Sequence, residues 1–243
     1  MGSKSVHSRD VVAFGKEGRL HSDERGSPIA ASILQTLPIF STLNAAELDD
    51  LSLQTVLLRV PRQGQVVCVG DLNYSIHLVV SGNLKETSGD QEGREVILSV
   101  LRPGEVFGEF WIEEAYPSTT TVRAMTESSI VVFPSDVFRQ CMQDYSEVAI
   151  YVIHNLIRRL RVADRKIESL SLHDVYGRVE RVLSDLAEER NGIRVVMKPM
   201  TRQDISQMVG ASREMVSRVM SNMQQCGSIE EKQAYFLLRK WRY

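Results

Sequence analysis

Cysteine is scarce in this chain of 243 residues: there are three, and they lie far apart in sequence. Cys68, Cys141 and Cys226 contain no CxxC pair that could hold a metal ion, and an odd number spread this widely gives no disulfide framework. Such low usage is typical of a protein kept in a reducing compartment. We therefore expect a cytoplasmic protein without a metal site.

Long apolar runs are absent as well. Stretches such as 149–153 and 130–133 are far shorter than the roughly 20 apolar residues that a membrane-spanning helix requires. The first 27 residues carry nine charged residues, and their apolar cluster at 11–14 is too short for the core of a signal peptide. We predict a flexible tail over residues 1–27 and no membrane partner.

Enzyme signatures are missing too. The sequence has no GxxxxGK[ST] phosphate loop, no HExxH zinc motif and no GxSxG nucleophile motif. The acid pairs at 113–114 and 188–189 are adjacent, so their side chains point apart and form no catalytic dyad. These absences predict a protein that is not an enzyme and has no catalytic residues.

Charge is balanced over the whole chain but uneven along it. The 29 Lys+Arg and 31 Asp+Glu give a net charge of −2, which excludes a wholly basic nucleic-acid binder. Residues 171–243 nevertheless hold 12 basic and 9 acidic residues, whereas the rest of the chain has a net charge of −5. This asymmetry favours an anionic partner for the C-terminal part.

Within residues 28–145 the pattern of apolar residues changes from one typical of helices to one typical of strands. A helical lead-in is predicted over 28–60, where Asn44 and Glu47 form a capping-box start for a helix over 45–53. Short alternating strands punctuated by Gly and Pro follow over 61–134 and indicate a jelly-roll β-barrel.

From residue 146 the apolar residues recur at alternating steps of three and four. That spacing is the a/d seam of a coiled coil, on a helix predicted over 146–170 with charged shoulders. We favour a parallel homodimer along this seam; the alternative is a helix that lies on its own barrel. The predicted seam consists of Ile153, Leu156, Leu160, Ala163, Ile167 and Leu170.

Residues 201–225 show the strongest pattern, two short helices joined by a glycine turn. Thr201 and Ser212 are good N-caps, and Gly210 can take the positive φ that the turn needs. After Gly227, residues 228–238 would form a β-hairpin wing. An ordinary helical hairpin is the alternative, but it does not account for the motif Arg-x-Asp-Ile-x-x-x-Val-Gly-x-Ser-Arg-Glu-x-Val-x-Arg. The predicted inward residues are Ile205, Met208, Val209, Val216, Val219, Met220 and Met223.

A helix-turn-helix presents the start of its second helix to the major groove of double-stranded DNA. Arginine pairs with O6 and N7 of guanine, and glutamate accepts from N4 of cytosine. The predicted base contacts are Arg213, Glu214, Ser217 and Arg218. Short side chains and N–H groups at helix starts suit phosphates, and the predicted phosphate contacts are Thr201, Arg202 and Ser212.

Three segments together resemble the Crp/Fnr family of bacterial transcription regulators, over roughly residues 33–240. TRQDISQMVGASREMVSRVM is similar to the family's helix-turn-helix, and RPGEVFGEFWI to the phosphate cassette of its cyclic-nucleotide-binding barrel. IRRLRVADRKIESLSLHDVYGRVERVLSDLA resembles its dimerisation helix and hinge. The resemblance implies a homodimer that reads a two-fold symmetric operator and acts on RNA polymerase. Arg213, Glu214 and Arg218 match the cyclic-AMP-binding member and imply TGTGA-like half-sites.

The effector segment departs from the members that bind cyclic AMP. There an Arg-Ser pair follows the cassette and its Arg neutralises the cyclic phosphate, whereas Ser118 and Thr119 stand in that place here. Such a charge-assisted bond is worth about 1.5–3 kcal/mol. The adenine-contacting Thr-Ser pair is replaced by Ala163 and Asp164, although Glu109 matches the ribose-binding Glu. We therefore expect an effector other than cyclic AMP, or none.

The other effectors of the family also depend on particular residues, which this sequence has or lacks. The absence of cysteine from residues 1–67 excludes an iron–sulfur cluster, and haem is disfavoured because His77 and His154 are isolated. Cyclic di-GMP remains a candidate, because Arg and Asp can bind the two edges of guanine; the alternative is that these charges form a salt-bridged dimer shoulder. Ligand-independent DNA binding is equally open. The predicted effector pocket consists of Gly108, Glu109, Phe110, Thr119, Thr120, Arg123, Arg161, Asp164 and Arg165.

The predicted fold is therefore α+β: an N-terminal jelly-roll β-barrel, a long dimerisation helix and a C-terminal winged helix-turn-helix. The predicted domains are the tail 1–27, an effector domain 28–145, the dimerisation helix 146–170 and a DNA-binding domain 171–243. The leading hypothesis is a homodimeric, sequence-specific transcription regulator. The alternative is a ligand-binding regulatory module that acts through a protein partner and carries a vestigial helix-turn-helix.

Overall fold

The computed structural model describes residues 27–28, 30–71, 75–108, 117–197, 200–233 and 235–239. The chain forms two compact units. The first contains the described residues up to Ser88 and those between Ser99 and Arg158, and the second contains Gly89–Leu98 and the described residues from Arg159 onward.

The described strands up to Pro134 form two antiparallel sheets. One has the order β1-β2-β9-β4-β7, with β1 at Ser27–Pro28, β2 at Val56–Val60, β4 at Ser75–Ser81, β7 at Val106–Phe107 and β9 at Ser128–Pro134. The other has the order β3-β8-β5-β6, with β3 at Gln65–Val67, β5 at Leu84–Gly89, β6 at Glu95–Leu101 and β8 at Thr121–Ala124. The strand order confirms the predicted jelly-roll-like arrangement.

Four helical segments precede and follow these strands. They are α1 (Ala31–Gln35), α2 (Ala45–Ser52), α3 (Ser135–Asp144) and the long α4 (Ser146–Leu172), with a 3₁₀ turn at Pro38–Phe40. Asn44 and Glu47 form the predicted capping box at the start of α2. The first half of α4 is fixed to the barrel, because the Tyr151 hydroxyl donates to the Gly104 carbonyl at 3.0 Å and Arg158 pairs with buried Glu105 at 2.8 Å.

Strand β9 explains the layering of this unit, because both of its faces are buried. Val131 and Phe133 pack with the helices, whereas Ile130 and Val132 pack against the other sheet. Side chains alternate along a strand, so an uninterrupted apolar run over 130–133 can line two separate cores. The interior of the barrel is the core between the two sheets.

The second unit contains a small helical core and a sheet. After α4 its described elements are α5 (Val175–Leu186), β10 (Glu188–Arg190), β11 (Ile193–Met197), α6 (Arg202–Val209), α7 (Arg213–Gln225), β12 (Ile229–Glu231) and β13 (Tyr235–Leu238). The sheet is antiparallel in the order β10-β11-β13-β12. The fully buried side chains that join the helices are Val179, Leu183, Ile205, Val216 and Met220.

The sequence predictions hold for most elements and fail for some. Residues 56–60, predicted as part of a helical lead-in, form strand β2, because this apolar segment pairs with β9 in the core sheet. Strands β10 and β11 were not predicted, whereas the wing over 228–238 is confirmed as β12 and β13. No helix in the described part of the chain is both long and apolar enough to cross a membrane.

Candidate DNA interface and effector site

Helix α6 begins at a reciprocal cap. The Asp204 backbone N–H donates to Thr201 Oγ1 at 3.1 Å, and the Thr201 N–H donates to Asp204 Oδ2 at 3.0 Å. Both groups would otherwise lack a partner at a helix start. The threonine was predicted as the N-cap, and the capping box confirms it.

A left-handed residue makes the turn between α6 and α7. Gly210 has φ +63° and ψ +45°, which a residue with a Cβ adopts only with strain. Its N–H donates to the Ser206 carbonyl and so closes the last turn of α6. Two residues later, Ser212 Oγ accepts from the Met215 N–H at 3.2 Å and starts α7.

Helix α7 has one buried and one exposed face. Val216, Met220 and Met223 are buried, and Val219 is half-buried. The predicted base-contacting residues lie on the other face: Arg213, Glu214 and Arg218 are exposed, and Ser217 is half-buried. A shallow depression on this face extends toward the end of the helix and is lined by Ser217, Arg218, Ser221, Asn222 and Gln225. The last three residues were not predicted, although they follow from Ser217 and Arg218 by helical spacing.

The charges on this face are complementary to base edges. Hydrogen bonds from its own backbone N–H and from the Ser212 hydroxyl lower the pKa of Glu214, and the charges of Arg213 and Arg218 lower it further. Glu214 is therefore ionised and accepts hydrogen bonds only. The two guanidinium groups beside it donate only, so the helix offers donors and acceptors in a fixed order along its exposed side.

The residues predicted to contact phosphates lie at the helix starts. Thr201 and Ser212 are exposed, and each uses its hydroxyl as a cap. Arg202 pairs with Glu231 on the wing strand β12 at 3.3 Å. A phosphate that approached this edge would have to compete with that carboxylate for the guanidinium.

All six residues of the predicted seam on α4 are exposed. Among the large side chains of the seam, the exposed fractions reach 62% for Leu160 and 64% for Ile167. Ile153 and Leu156 belong to the same compact unit as the barrel and are still 53% and 40% exposed, which counts against a helix that buries this seam on its own barrel. A contiguous apolar stripe of this kind is typical of a protein–protein contact.

The interior of the barrel contains a carboxylate that the sequence analysis missed. Glu86 on β5 is 8% exposed, and it accepts from the Ser99 hydroxyl and from the Thr120 hydroxyl, both at 2.9 Å. Thr120 was a predicted pocket residue. The segment that leads to it is fixed locally, because the Ser118 hydroxyl donates to the Thr120 carbonyl at 2.8 Å.

The other predicted pocket residues lie on several different elements. Gly108 has φ +83°, Thr119 is exposed, and Glu109 and Phe110 lie outside the described residues. Arg123 lies on the opposite face of β8 from Val122 and Ala124, which belong to the barrel core, so Arg123 does not join Glu86. On α4, the exposed members of the predicted set are Arg161, Asp164 and Arg165.

The two candidate haem ligands have different environments. His154 is exposed on α4. His77 on β4 is fully buried, stacks on Phe107 with ring centroids 4.8 Å apart, and leaves both ring nitrogens without a hydrogen-bond partner. Burial lowers the pKa of His77 to about 3. Within the described ranges, no three His, Cys, Asp or Glu side chains are grouped as a metal site would require.

Two models of known protein families match this chain. Residues 57–145 match the model of the cyclic nucleotide-binding domain, and residues 177–242 match the model of the Crp-like helix-turn-helix domain. These two domains define a DNA-binding transcription regulator that is not an enzyme.

Whole-chain relatives agree with this assignment. The chain is 30% identical over 201 residues to the cAMP-activated global transcriptional regulator Vfr of Pseudomonas aeruginosa, covering 80% of this chain and 94% of Vfr. It is 29% identical over 201 residues to the CRP-like cAMP-activated global transcriptional regulator of Mycobacterium tuberculosis, covering 81% and 90%. The structure of the c-di-GMP responsive global regulator CLP from Xanthomonas campestris shares the fold, with a TM-score of 0.67 at 24% identity over 79% of this chain and 97% of CLP. The chain belongs to the Crp/Fnr family of transcription regulators.

Proposed function

We propose that this regulator acts as a homodimer that reads a two-fold symmetric operator of TGTGA-like half-sites through α7. The observation that carries the proposal is the exposed face of α7, where Arg213 and Arg218 flank an ionised Glu214. In the major groove, the arginines would donate to guanine O6 and N7, and Glu214 would accept from cytosine N4. Ser217 would contact the neighbouring base.

Phosphate contacts would fix α7 in the groove. Thr201 and Ser212 lie at the exposed starts of α6 and α7, where helix N-termini favour anions. Arg202 would exchange its bond with Glu231 for a bond with a phosphate oxygen. Such contacts position the protein without reading sequence.

The second protomer would pair along α4. Six exposed apolar residues at heptad spacing supply a continuous stripe, and burying that stripe between two copies removes it from water. A parallel pair would place two α7 helices on successive major grooves, about 34–36 Å apart. We assign the effector domain to residues 28–145, the dimerisation helix to 146–170 and the DNA-binding domain to 171–243. The DNA-bound dimer would act on RNA polymerase.

The effector is proposed to differ from cyclic AMP, although Vfr and the M. tuberculosis relative are named as cAMP-activated. Ser118, in place of the phosphate-neutralising Arg, is buried and uses its hydroxyl within its own segment. Cyclic di-GMP, or no ligand at all, fits the residues better. Any effector would act by binding the DNA-competent arrangement more tightly than the other.

Operator binding is tested by titrating a fluorescent duplex that contains TGTGA-N6-TCACA, and a scrambled duplex, at one fixed salt concentration. We expect the wild type to prefer the operator by roughly a thousandfold or more. Arg213→Ala should weaken operator binding by about 1–3 kcal/mol, whereas Arg190→Ala, which removes another exposed charge that is paired with Glu188, should have little effect. Equal losses in the two variants would contradict base readout by α7.

Repeating the titration with cyclic AMP and then with cyclic di-GMP tests the effector. Tight operator binding without ligand would show that the barrel is not an obligatory activator site. Binding that required cyclic AMP would contradict our interpretation of Ser118. Normal regulation in cells by Arg213→Ala would favour the alternative, a module that acts through a protein partner.

A further inference from the structure

Helix α7 exposes one apolar side chain among polar ones. The structure describes every residue of this helix, and within it Met215 is the exposed apolar residue, with an exposed fraction of 43%. The other exposed residues of α7 are all polar or charged: Arg213, Glu214, Arg218, Ser221, Asn222 and Gln225. Val216, Met220 and Met223 form the buried side of the helix. Met215 is therefore available to a partner of α7.

Met215 lies in the first turn of α7, beside the predicted base contacts. Its N–H donates to Ser212 Oγ at 3.2 Å, so the cap fixes its backbone at the end of the helix that would enter the major groove. At about 3.6 residues per turn, Met215 is about 60° around the helix axis from Arg218 and about 100° from Glu214. Ser217 lies on the opposite flank of these two residues. Met215 would thus extend the base-reading surface on the flank that the predicted contacts leave open.

A TGTGA half-site presents groups that the charged residues of α7 do not match. Arg213, Glu214 and Arg218 suit the edges of guanine and cytosine, and so they account for the two G·C pairs. The other three pairs are A·T, and each of them presents the C5-methyl group of thymine in the major groove. Apolar side chains contact that methyl group, and the flexible, polarisable thioether of methionine can adapt to its position.

We propose that Met215 reads a thymine of the half-site through the C5-methyl group of that base. The inference rests on the proposed function, in which α7 enters the major groove of the operator. It adds an uncharged specificity-determining residue and extends base readout by α7 to an A·T pair. Because both apolar groups leave water when they meet, the contact favours thymine over a base that lacks the methyl group.

Replacing thymine by deoxyuridine tests this contact, because the replacement removes the methyl group and keeps the base pair. The fluorescent operator carries deoxyuridine at one thymine position at a time, in both half-sites, and is titrated with the full chain at one salt concentration. The wild type should bind about fifteenfold more weakly at one of these positions, which is about fourfold for each buried methyl group. Equal affinities for thymine and deoxyuridine at every position would overturn the proposal.

Met215→Gln keeps the length of the side chain and removes its apolar end. This variant should bind thymine and deoxyuridine operators equally at that position, and so should Met215→Ala; circular dichroism checks that both variants are folded. Ile193→Ala shortens an apolar side chain that is 45% exposed on β11, and it should respond to deoxyuridine as the wild type does. A loss on deoxyuridine in the Met215 variants as large as in the wild type would overturn the proposal.

Arg213→Ala, measured on the thymine operator, separates this inference from the proposed function. If Arg213→Ala weakens binding while deoxyuridine has no effect on the wild type, the role of Met215 alone is rejected. If neither change has an effect, or if the wild type does not bind the operator, base readout by α7 is rejected and the inference with it.

Discussion

His77 should make the barrel unit sensitive to mild acid, and replacing it should remove that sensitivity. The ring is fully buried on β4, and neither nitrogen has a hydrogen-bond partner. Burial favours the neutral ring and lowers the pKa of His77 from 6.5 to about 3. The perturbation we choose is His77→Gln, which keeps a polar side chain but cannot titrate.

Proton linkage gives the direction and the size of the change in unfolding free energy with pH. Between pH 6.5 and about pH 3, the unfolded chain binds a proton at His77 that the folded chain does not, so acid favours unfolding. The stability contributed by neutral His77 is fully present above pH 6.5 and is lost as the pH falls. Between pH 7.5 and 5.5 the loss should be about 1.4 kcal/mol, and at most about 5 kcal/mol by pH 3.

Urea unfolding followed by circular dichroism at pH 7.5 and 5.5 measures this effect in wild type and variant. Other titrating groups affect both proteins, so the difference between their pH responses isolates His77. We expect His77→Gln to lose about 1.4 kcal/mol less than wild type over this interval. His154→Gln, at an exposed histidine on α4, should behave as the wild type does. An identical pH response in His77→Gln and wild type would refute the account of a neutral, buried ring.

Two further predictions concern association and the turn. Leu160→Glu places a charge in the exposed seam of α4, where dimerisation would bury it. Sedimentation should therefore show a monomer at concentrations where wild type and the control His154→Glu are dimers. A dimeric Leu160→Glu would contradict dimerisation along this seam. Gly210→Ala should destabilise the DNA-binding unit by about 1–2 kcal/mol, because a residue with a Cβ is strained at the φ of +63°. A steric clash does not contribute, because the added Cβ would lie 3.7 Å from Leu170 Cδ2, an ordinary van der Waals distance. Thermal unfolding measures this loss of stability. Gly210→Asn should destabilise the unit less than Gly210→Ala does, because asparagine adopts a left-handed conformation more readily. Equal stability of Gly210→Ala and wild type would show that the turn tolerates a side chain.

The helix-turn-helix could be predicted from the sequence because its signals are local. Thr201, Gly210 and Ser212 each determine a cap or a turn through their own side chain or lack of one. The heptad spacing on α4 is also a local pattern, and the six residues that it selects are exposed in the structure. These features need no knowledge of distant strands.

The barrel interior could not be predicted in the same way. Whether Glu86 faces solvent or the core depends on the pairing of β5 with β8, which are more than thirty residues apart. The same long-range pairing turns residues 56–60 into a strand beside β9 and turns Arg123 away from the core. Strand pairing decides such positions, and the side-chain period of two makes a one-residue shift reverse them.

The most direct test of the central claim is a cycle that combines Arg213→Ala with a single base-pair swap. The G·C pairs of each TGTGA half-site are exchanged for C·G one position at a time, and affinities are measured at one salt concentration. We expect wild type to lose about 1–3 kcal/mol at one of the two G·C positions of the half-site and Arg213→Ala to lose nothing further there, while both proteins respond alike at the other position. Equal losses in the two proteins at every pair would contradict it, because Arg213 would then read no base.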